Sequence, residues 1–210
     1  MNDTTTQQVE NTVREAVESG EDIYQKVRSI TLKALTEREL DRDNIADVVQ
    51  AVGEGIRTGM GAQYETSRTA FQESTQALDD ALASTAEATK LAVEEAASRM
   101  DEFSRTDLKR TTDDLKGLEE LFLETMGNIA KDSQGVMSDV VRDFISHAQT
   151  KGTAVGKQAE LVLDRIKHVV LSGEHSALSS ARETTSTLAR IGSGFLAGIA
   201  ESLQSESGKK

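Results

Sequence analysis

The sequence has 210 residues, enough for one or two domains, but only 37% of them are hydrophobic and 3% are aromatic. It has no cysteine, which excludes disulfides and thiolate metal sites, and no proline, which favours helix because proline in a helix interior costs about 3 kcal/mol. The net charge is −12, with −14 in residues 1–149 and +2 in residues 150–210, and this acidity argues against binding to nucleic acid or to anionic lipid.

The first residues of the chain do not predict secretion by a standard signal peptide. The first residues, Met-Asn-Asp-Thr-Thr-Thr, have neither a basic nor an apolar region of the secretory type. No stretch reaches the roughly 20 apolar residues that span a bilayer. We therefore expect a cytoplasmic protein that is not transmembrane, with possible attachment to a granule.

The first predicted segment, residues 1–44, contains short helices. Residues 1–8 are polar and are expected to fray, and a first helix follows with its end near Ser19–Gly20, because glycine commonly ends helices. A second helix is predicted over 21–35 from apolar residues at helical spacing. The charged residues 36–44 predict a turn.

Residues 45–61 combine helical apolar spacing with four glycines, at positions 53, 55, 59 and 61. Their spacing does not match the dinucleotide-binding fingerprint, and a helix rather than a strand precedes them. Gly55 and Gly59 form a small-x-x-x-small face, which predicts close contact with another helix. Glycines also weaken helices by about 1 kcal/mol each, so a bend here is the alternative.

A single apolar stripe runs from Met60 to Ala148 in steps of four, three and four residues. This 11-residue period predicts a straight or slightly right-handed helical path rather than a long left-handed coiled coil. Glu119 is the one charged residue on the stripe. Its large apolar members include Met60, Phe71, Leu78, Leu82, Val93, Met100, Leu115, Phe122, Met126, Met137, Val141 and Phe144.

The stripe predicts long amphipathic helices over the second segment, residues 45–149. Residues 63–103 contain no glycine and predict one helix of about 60 Å, at 1.5 Å per residue. Breaks are expected at 104–107, where the residues resemble a helix cap, and at 131–135, which ends in glycine. The fold class that follows is all-α, an elongated antiparallel bundle of about six helices.

The third segment, residues 150–210, follows a glycine-marked hinge at 150–156. A short helix is predicted up to Ser172–Gly173, and a last helix over 176–203. The end of that last helix has few charges, and Gly194 and Gly198 could bring it close to another helix. It is interpreted as a core helix of the bundle, the alternative being a helix in an apolar interface.

Catalytic chemistry has little support in the sequence. The three histidines, His147, His168 and His175, lie in no metal-binding motif of the di-iron or zinc-protease type. Adjacent acidic pairs such as Asp79–Asp80 and Glu119–Glu120 are interpreted as a solvated helix face rather than as a catalytic pair. We therefore expect no enzymatic activity, no metal and no cofactor.

Residues 66–100, TSRTAFQESTQALDDALASTAEATKLAVEEAASRM, resemble the helices of phasins, which coat polyhydroxyalkanoate granules in bacteria. The likeness lies in long amphipathic helices with Ala, Thr, Ser, Gln and Glu around spaced Phe and Leu, and it extends over residues 60–150. It contains no diagnostic motif, and the basic tail of some phasins is missing. The resemblance implies a role at a granule or lipid surface.

Two functional hypotheses remain open at this point. In the first, the protein is a phasin-like coat whose apolar stripe lies on a hydrophobic granule or lipid surface while its acidic face repels neighbours. In the second, it is a structural or scaffolding bundle whose stripe is the core or an oligomer interface, with self-association and protein partners. Both hypotheses exclude nucleic acid as a partner.

Overall fold

The computed structural model describes residues 3–37, 42–60, 64–98, 105–133 and 136–171. Within these ranges the surroundings of side chains are described for 6–37, 42–60, 68–89, 112–133 and 138–165. The predicted last helix over 176–203 lies outside the described residues, as do Met100, Gly194 and Gly198 of the predicted sites.

The described residues form helices and contain no strand, which confirms the predicted all-α fold. Close packing among the helices makes the fold a helical bundle. The seven helices are α1 (Asp3–Ser19), α2 (Ile23–Thr36), α3 (Arg42–Gly59), α4 (Tyr64–Ser98), α5 (Arg105–Asp132), α6 (Val136–Lys151) and α7 (Ala154–Leu171).

The first helix begins earlier than predicted but ends where it was expected. α1 starts at Asp3, so the polar residues that were expected to fray are helical from that point. Its end follows the glycine rule, because Gly20 has a φ of +66°, a left-handed conformation that glycine adopts at no steric cost. Asp22, with a φ of 50°, then redirects the chain into α2.

The long apolar stripe is divided among three helices. α4 has 35 residues, which corresponds to about 52 Å rather than the predicted 60 Å. α5 begins at Arg105 and ends at Asp132, so both predicted breaks, at 104–107 and 131–135, coincide with helix ends. The glycines at positions 53 and 55 do not end α3, which continues to Gly59.

The seven helices of the described residues share one apolar core. α1 packs along α3, and α2 packs against both α1 and α4. α3 also contacts α5, and α6 packs against α5. α7 packs along α4 and against α5, whereas α4 and α5 contact each other only over a short stretch. The packing therefore crosses the predicted segment boundaries at 44/45 and 149/150, and α7 bridges the two helices that carry most of the stripe.

Candidate functional site

The apolar stripe lies inside the bundle. Phe122 is fully buried, with none of its side chain exposed, and so is Phe71. The other fully or almost fully buried members are Leu78, Leu82, Leu115, Met126 and Val141. Met60 and Phe144 are partly buried and pack against the same core. The side chains of Val93 in α4 and Met137 in α6 lie outside the described ranges.

Three aromatic rings of the stripe join three helices. Phe144 of α6 makes edge-to-face contacts with Phe71 of α4, at 5.7 Å between ring centroids, and with Phe122 of α5, at 6.1 Å. Such arrangements place the positive edge of one ring against the negative face of another and contribute about 0.5–1.5 kcal/mol beyond area burial. Apolar side chains from different helices of the stripe therefore pack against one another.

Among the described side chains, five of the seven buried hydroxyl groups form hydrogen bonds within their own helices. The other two reach α5: the Oγ of Ser138 donates to the carbonyl oxygen of Ala130 at 3.2 Å, and the Oγ1 of Thr153 donates to Glu119. The Oγ1 of Thr75 donates to the carbonyl oxygen of Phe71 at 2.8 Å. Thr31, Ser74, Thr85 and Thr125 each donate in the same way to the residue four positions earlier. This back-bonding satisfies a buried hydroxyl without a partner from another helix. The core surfaces of these helices therefore carry few polar groups that depend on a neighbouring helix.

Gly55 and Gly59 lie in the contact between α3 and α1. A Cβ atom built on Gly55 would lie 2.6 Å from the carbonyl oxygen of Glu10 and 2.8 Å from the Cβ of Val13. One built on Gly59 would lie 2.7 Å from the carbonyl oxygen of Arg14. Only glycine permits this approach of two helix backbones. α1 and α3 are consequently joined by contacts that no larger residue could make.

The start of α7 is capped by two different parts of the chain. Thr153 precedes the helix, and its Oγ1 accepts a hydrogen bond from the backbone N–H of Gly156 at 2.9 Å, as an N-cap residue does. The carboxylate of Asp79, in α4, accepts from the N–H of Ala154 at 2.7 Å and of Val155 at 2.8 Å. Three of the N–H groups that a helix leaves without internal partners are thereby satisfied.

Glu119 of α5 completes this polar cluster. Its Oε1 accepts a hydrogen bond from the Oγ1 of Thr153 at 2.7 Å. It lies directly against Gly156, where a Cβ atom would collide with the carboxylate. One turn further along α7, the side-chain amide of Gln158 donates to Glu87 of α4. We refer to Asp79, Glu87 and Glu119 as the α7 anchors.

The interpretation of the acidic pairs as a solvated face is wrong for three of their members. Asp79, Asp80 and Glu119 are all partly buried. Asp80 accepts a hydrogen bond from the Oη of Tyr24 in α2 at 2.8 Å, and in the same interface Arg28 donates to Ser84 at 3.2 Å. Sequence periodicity places these carboxylates on helices but does not reveal that other helix ends and side chains meet them. The available signal was Glu119, the only charged residue of the stripe.

Burial raises the pKa of the Asp79 carboxyl above its ordinary value. The N–H donors of Val155 and Ala154 favour the charged form and oppose this shift, whereas the negative charges of Asp80 and Glu119 reinforce it. The net pKa is raised, so the folded protein binds a proton at Asp79 more readily than the unfolded chain does.

The raised pKa of Asp79 gives a prediction for stability against pH. As pH falls through the folded pKa towards the unfolded value of about 3.9, Asp79 increases the free energy of unfolding, because the folded state takes up its proton first. Asp79→Asn abolishes this contribution. Urea unfolding, followed by circular dichroism at several pH values, should show the stability of wild type relative to the variant rising as pH falls. A relative stability that falls with pH would contradict the assignment.

Within the described ranges, no three His, Asp or Glu side chains come together in a way that could hold a metal ion. Of the helices in those ranges, none combines the length and apolar character that crossing a bilayer requires.

Comparison with known proteins places the chain in a family. The model of a family of unknown function, DUF6781, matches residues 1–205. Because the match spans nearly the whole sequence, the chain belongs to this family. No curated protein and no solved structure matches it.

Proposed function

We propose that this member of the family is a non-enzymatic coat protein, which binds a hydrophobic granule or lipid surface through its apolar stripe. In the free protein the stripe is buried in the core of the bundle. When the protein binds the granule or lipid surface, the helices separate. The apolar face of each helix then contacts that surface instead of the neighbouring helices. The resemblance of residues 66–100 to phasin helices implies the same role.

The observation that carries the proposal is that most of the buried hydroxyl groups, five of the seven among the described side chains, bond within their own helices. Thr31, Ser74, Thr75, Thr85 and Thr125 all bond to carbonyl oxygens of their own helices, so these bonds persist when the helices separate. A buried hydroxyl that lost its partner would cost about 1–3 kcal/mol. Moving these helix faces from the core to an apolar surface avoids that cost.

The composition of the core supports the same conclusion. Much of it consists of Ala, Val, Ser and Thr, and only two Phe rings are fully buried among the described side chains. Apolar burial stabilises by about 25 cal/mol per Å² whether the cover is protein or another apolar phase. A core with little large apolar mass can therefore exchange its helix–helix contacts for contacts with a surface.

The outer faces of the bundle are suited to a coat. On α6, Asp139, Arg142, Asp143 and His147 are exposed. The net charge of −12 would make neighbouring molecules on one particle repel each other, and would do the same for neighbouring particles. The same acidity disfavours anionic lipid, so the expected surface is neutral and apolar.

Flotation tests the proposal. Purified protein is mixed with neutral-oil droplets in one arm and with polyhydroxyalkanoate particles in another, and far-UV circular dichroism is recorded before and after. Co-flotation with a gain or rearrangement of helix is expected, and the two arms distinguish a lipid surface from a polymer granule. Protein that stays in solution in both arms, with its helicity unchanged, contradicts the proposal.

The second candidate is a structural or scaffolding bundle that self-associates and binds protein partners. The specific observation in its favour is that the stripe is already covered by the chain itself, down to full burial of Phe71 and Phe122. It predicts a defined oligomer in light scattering, cooperative unfolding, and no affinity for droplets or particles. The flotation experiment therefore decides between the two candidates.

A further inference from the structure

We propose that α7 is a strap that holds α4 and α5 together, and that its release is the step that opens the bundle. This inference rests on the proposed coat function, because it names the conformational step that would control surface binding. It concerns α7 from Ala154 onward and the three α7 anchors.

The position of α7 is the first argument. α7 packs along α4 and also against α5, while α4 and α5 contact each other only over a short stretch. The two helices bear most of the apolar stripe, and α7 packs on both of them. Detachment of α7 alone would therefore uncover parts of both. The helices α3 and α6 also contact both α4 and α5, but each of them meets α4 only over a short stretch.

The polar anchors are the second argument, because they are few and lie close together. Asp79 and Glu119 meet the first turn of α7 from opposite helices, and Glu87 meets Gln158 one turn later. Side-chain anchors of this kind are replaced by water when a helix leaves, since both the carboxylates and the helix N–H groups can be hydrated. Detachment of α7 can thus break its hydrogen bonds to all three anchors in one step.

The apolar attachment of α7 is the third argument. Its described buried side chains are Val155, Ala159 and Val162, all small, and Leu161 is 64% exposed. The contact between α1 and α3 differs, because Gly55 and Gly59 allow backbone contacts there that water or an apolar surface cannot reproduce. The bundle is therefore expected to open at α7 while α1 and α3 remain together.

The test compares two full-length double variants. Asp79→Ala/Glu119→Ala removes two anchors of α7. As a control, Tyr24→Phe/Arg28→Met removes two hydrogen bonds between α2 and α4, those from Tyr24 to Asp80 and from Arg28 to Ser84. Hydrogen–deuterium exchange measures the opening of each helix, and the rate of association with neutral-oil droplets measures its consequence. Urea unfolding establishes the global stability of both variants.

The anchor variant should exchange about tenfold faster or more in residues 154–165, with α1 and α3 unchanged, because charged-group hydrogen bonds are lost. Its droplet association should accelerate by a similar factor, and the control should show neither effect at comparable global stability. Faster exchange in all helices alike, or equal acceleration in the control, overturns the strap. If the double variant does not fold, Glu119→Gln alone should give a smaller rise confined to α7.

The two readouts separate the strap from the coat function. The anchor variant could show faster hydrogen–deuterium exchange in α7 alone and still associate with droplets at the wild-type rate. That result would overturn the control of surface binding by α7, and it would not contradict the coat function. The exchange could also be faster in α7 alone while none of the proteins, wild type included, binds droplets. That result would overturn the coat function, and with it the control of surface binding by α7.

Discussion

Phe122→Asp is expected to unfold the protein. Phe122 is fully buried in α5 and contacts the ring of Phe144. Truncation of a buried Phe to Ala costs about 3–5 kcal/mol, and a carboxylate in the same place adds the cost of burying an unpaired charge. Single domains are typically stable by about 5–15 kcal/mol, so this one substitution removes much or all of the stability. Far-UV circular dichroism and urea unfolding measure the effect.

Leu161→Asp is the matched control, since Leu161 is a large apolar residue that is exposed among the described side chains of α7. Substitutions at such surface positions usually change stability by no more than about 0.5 kcal/mol. A Phe122→Asp protein as stable as Leu161→Asp would show that Phe122 is not in the core. The burial of Phe122 also means that loss of droplet binding in Phe122→Asp cannot distinguish the two candidate functions, because the fold itself is lost.

Gly55→Ala is expected to destabilise the protein by about 1–3 kcal/mol, the usual cost of overpacking a core. The added methyl would lie 2.6 Å from the carbonyl oxygen of Glu10, a backbone atom that cannot rotate away. Alanine is the better helix former by about 1 kcal/mol, but this gain is smaller than the cost of pushing α1 away from α3. The midpoint of urea unfolding should fall accordingly.

Gly127→Ala is the control for this prediction. Gly127 lies in α5, and a Cβ atom built on it meets nothing within 4 Å. The same substitution should therefore stabilise the protein by about 0.4–1 kcal/mol. Equal effects of the two substitutions, in either direction, would contradict the close contact between α1 and α3.

The all-α fold could be predicted because its signals are local. Absence of proline and the 3,4 spacing of apolar residues depend only on the chain itself, and the breaks near residues 104–107 and 131–135 follow from cap-like residues and glycine. The frayed start was predicted wrongly, since α1 begins at Asp3. A polar first turn gives no local signal for or against helix.

The polar contacts between helices could not be predicted. Asp79 caps α7 from a helix that lies 75 residues away in the chain, and the apolar pattern does not indicate which helix end will meet which carboxylate. The stripe likewise predicts an apolar face without saying whether protein or a surface covers it. Both properties depend on tertiary packing, for which a periodic sequence offers several equivalent choices.

A reversible lock between α3 and α5 tests the central claim most directly. A Cβ atom built on Gly53 lies 4.0 Å from the Cβ of Thr125, within the range of about 3.5–4.5 Å found in disulfides. The chain has no other cysteine, so Gly53→Cys/Thr125→Cys forms one defined bond. The lock keeps α3 over the face of α5 that carries Thr125 and Ile129.

Flotation of this variant on neutral-oil droplets, oxidised and then reduced, is the measurement, with the two single-cysteine proteins as controls. If the bundle must open fully to present its stripe, the oxidised protein floats less than the reduced protein, because α3 still covers part of α5 after α7 has detached. The reduced protein floats with a rearrangement of its helices, as the controls do. Equal flotation of the oxidised and reduced forms, or no flotation of any of these proteins, would contradict a coat protein that opens onto its surface.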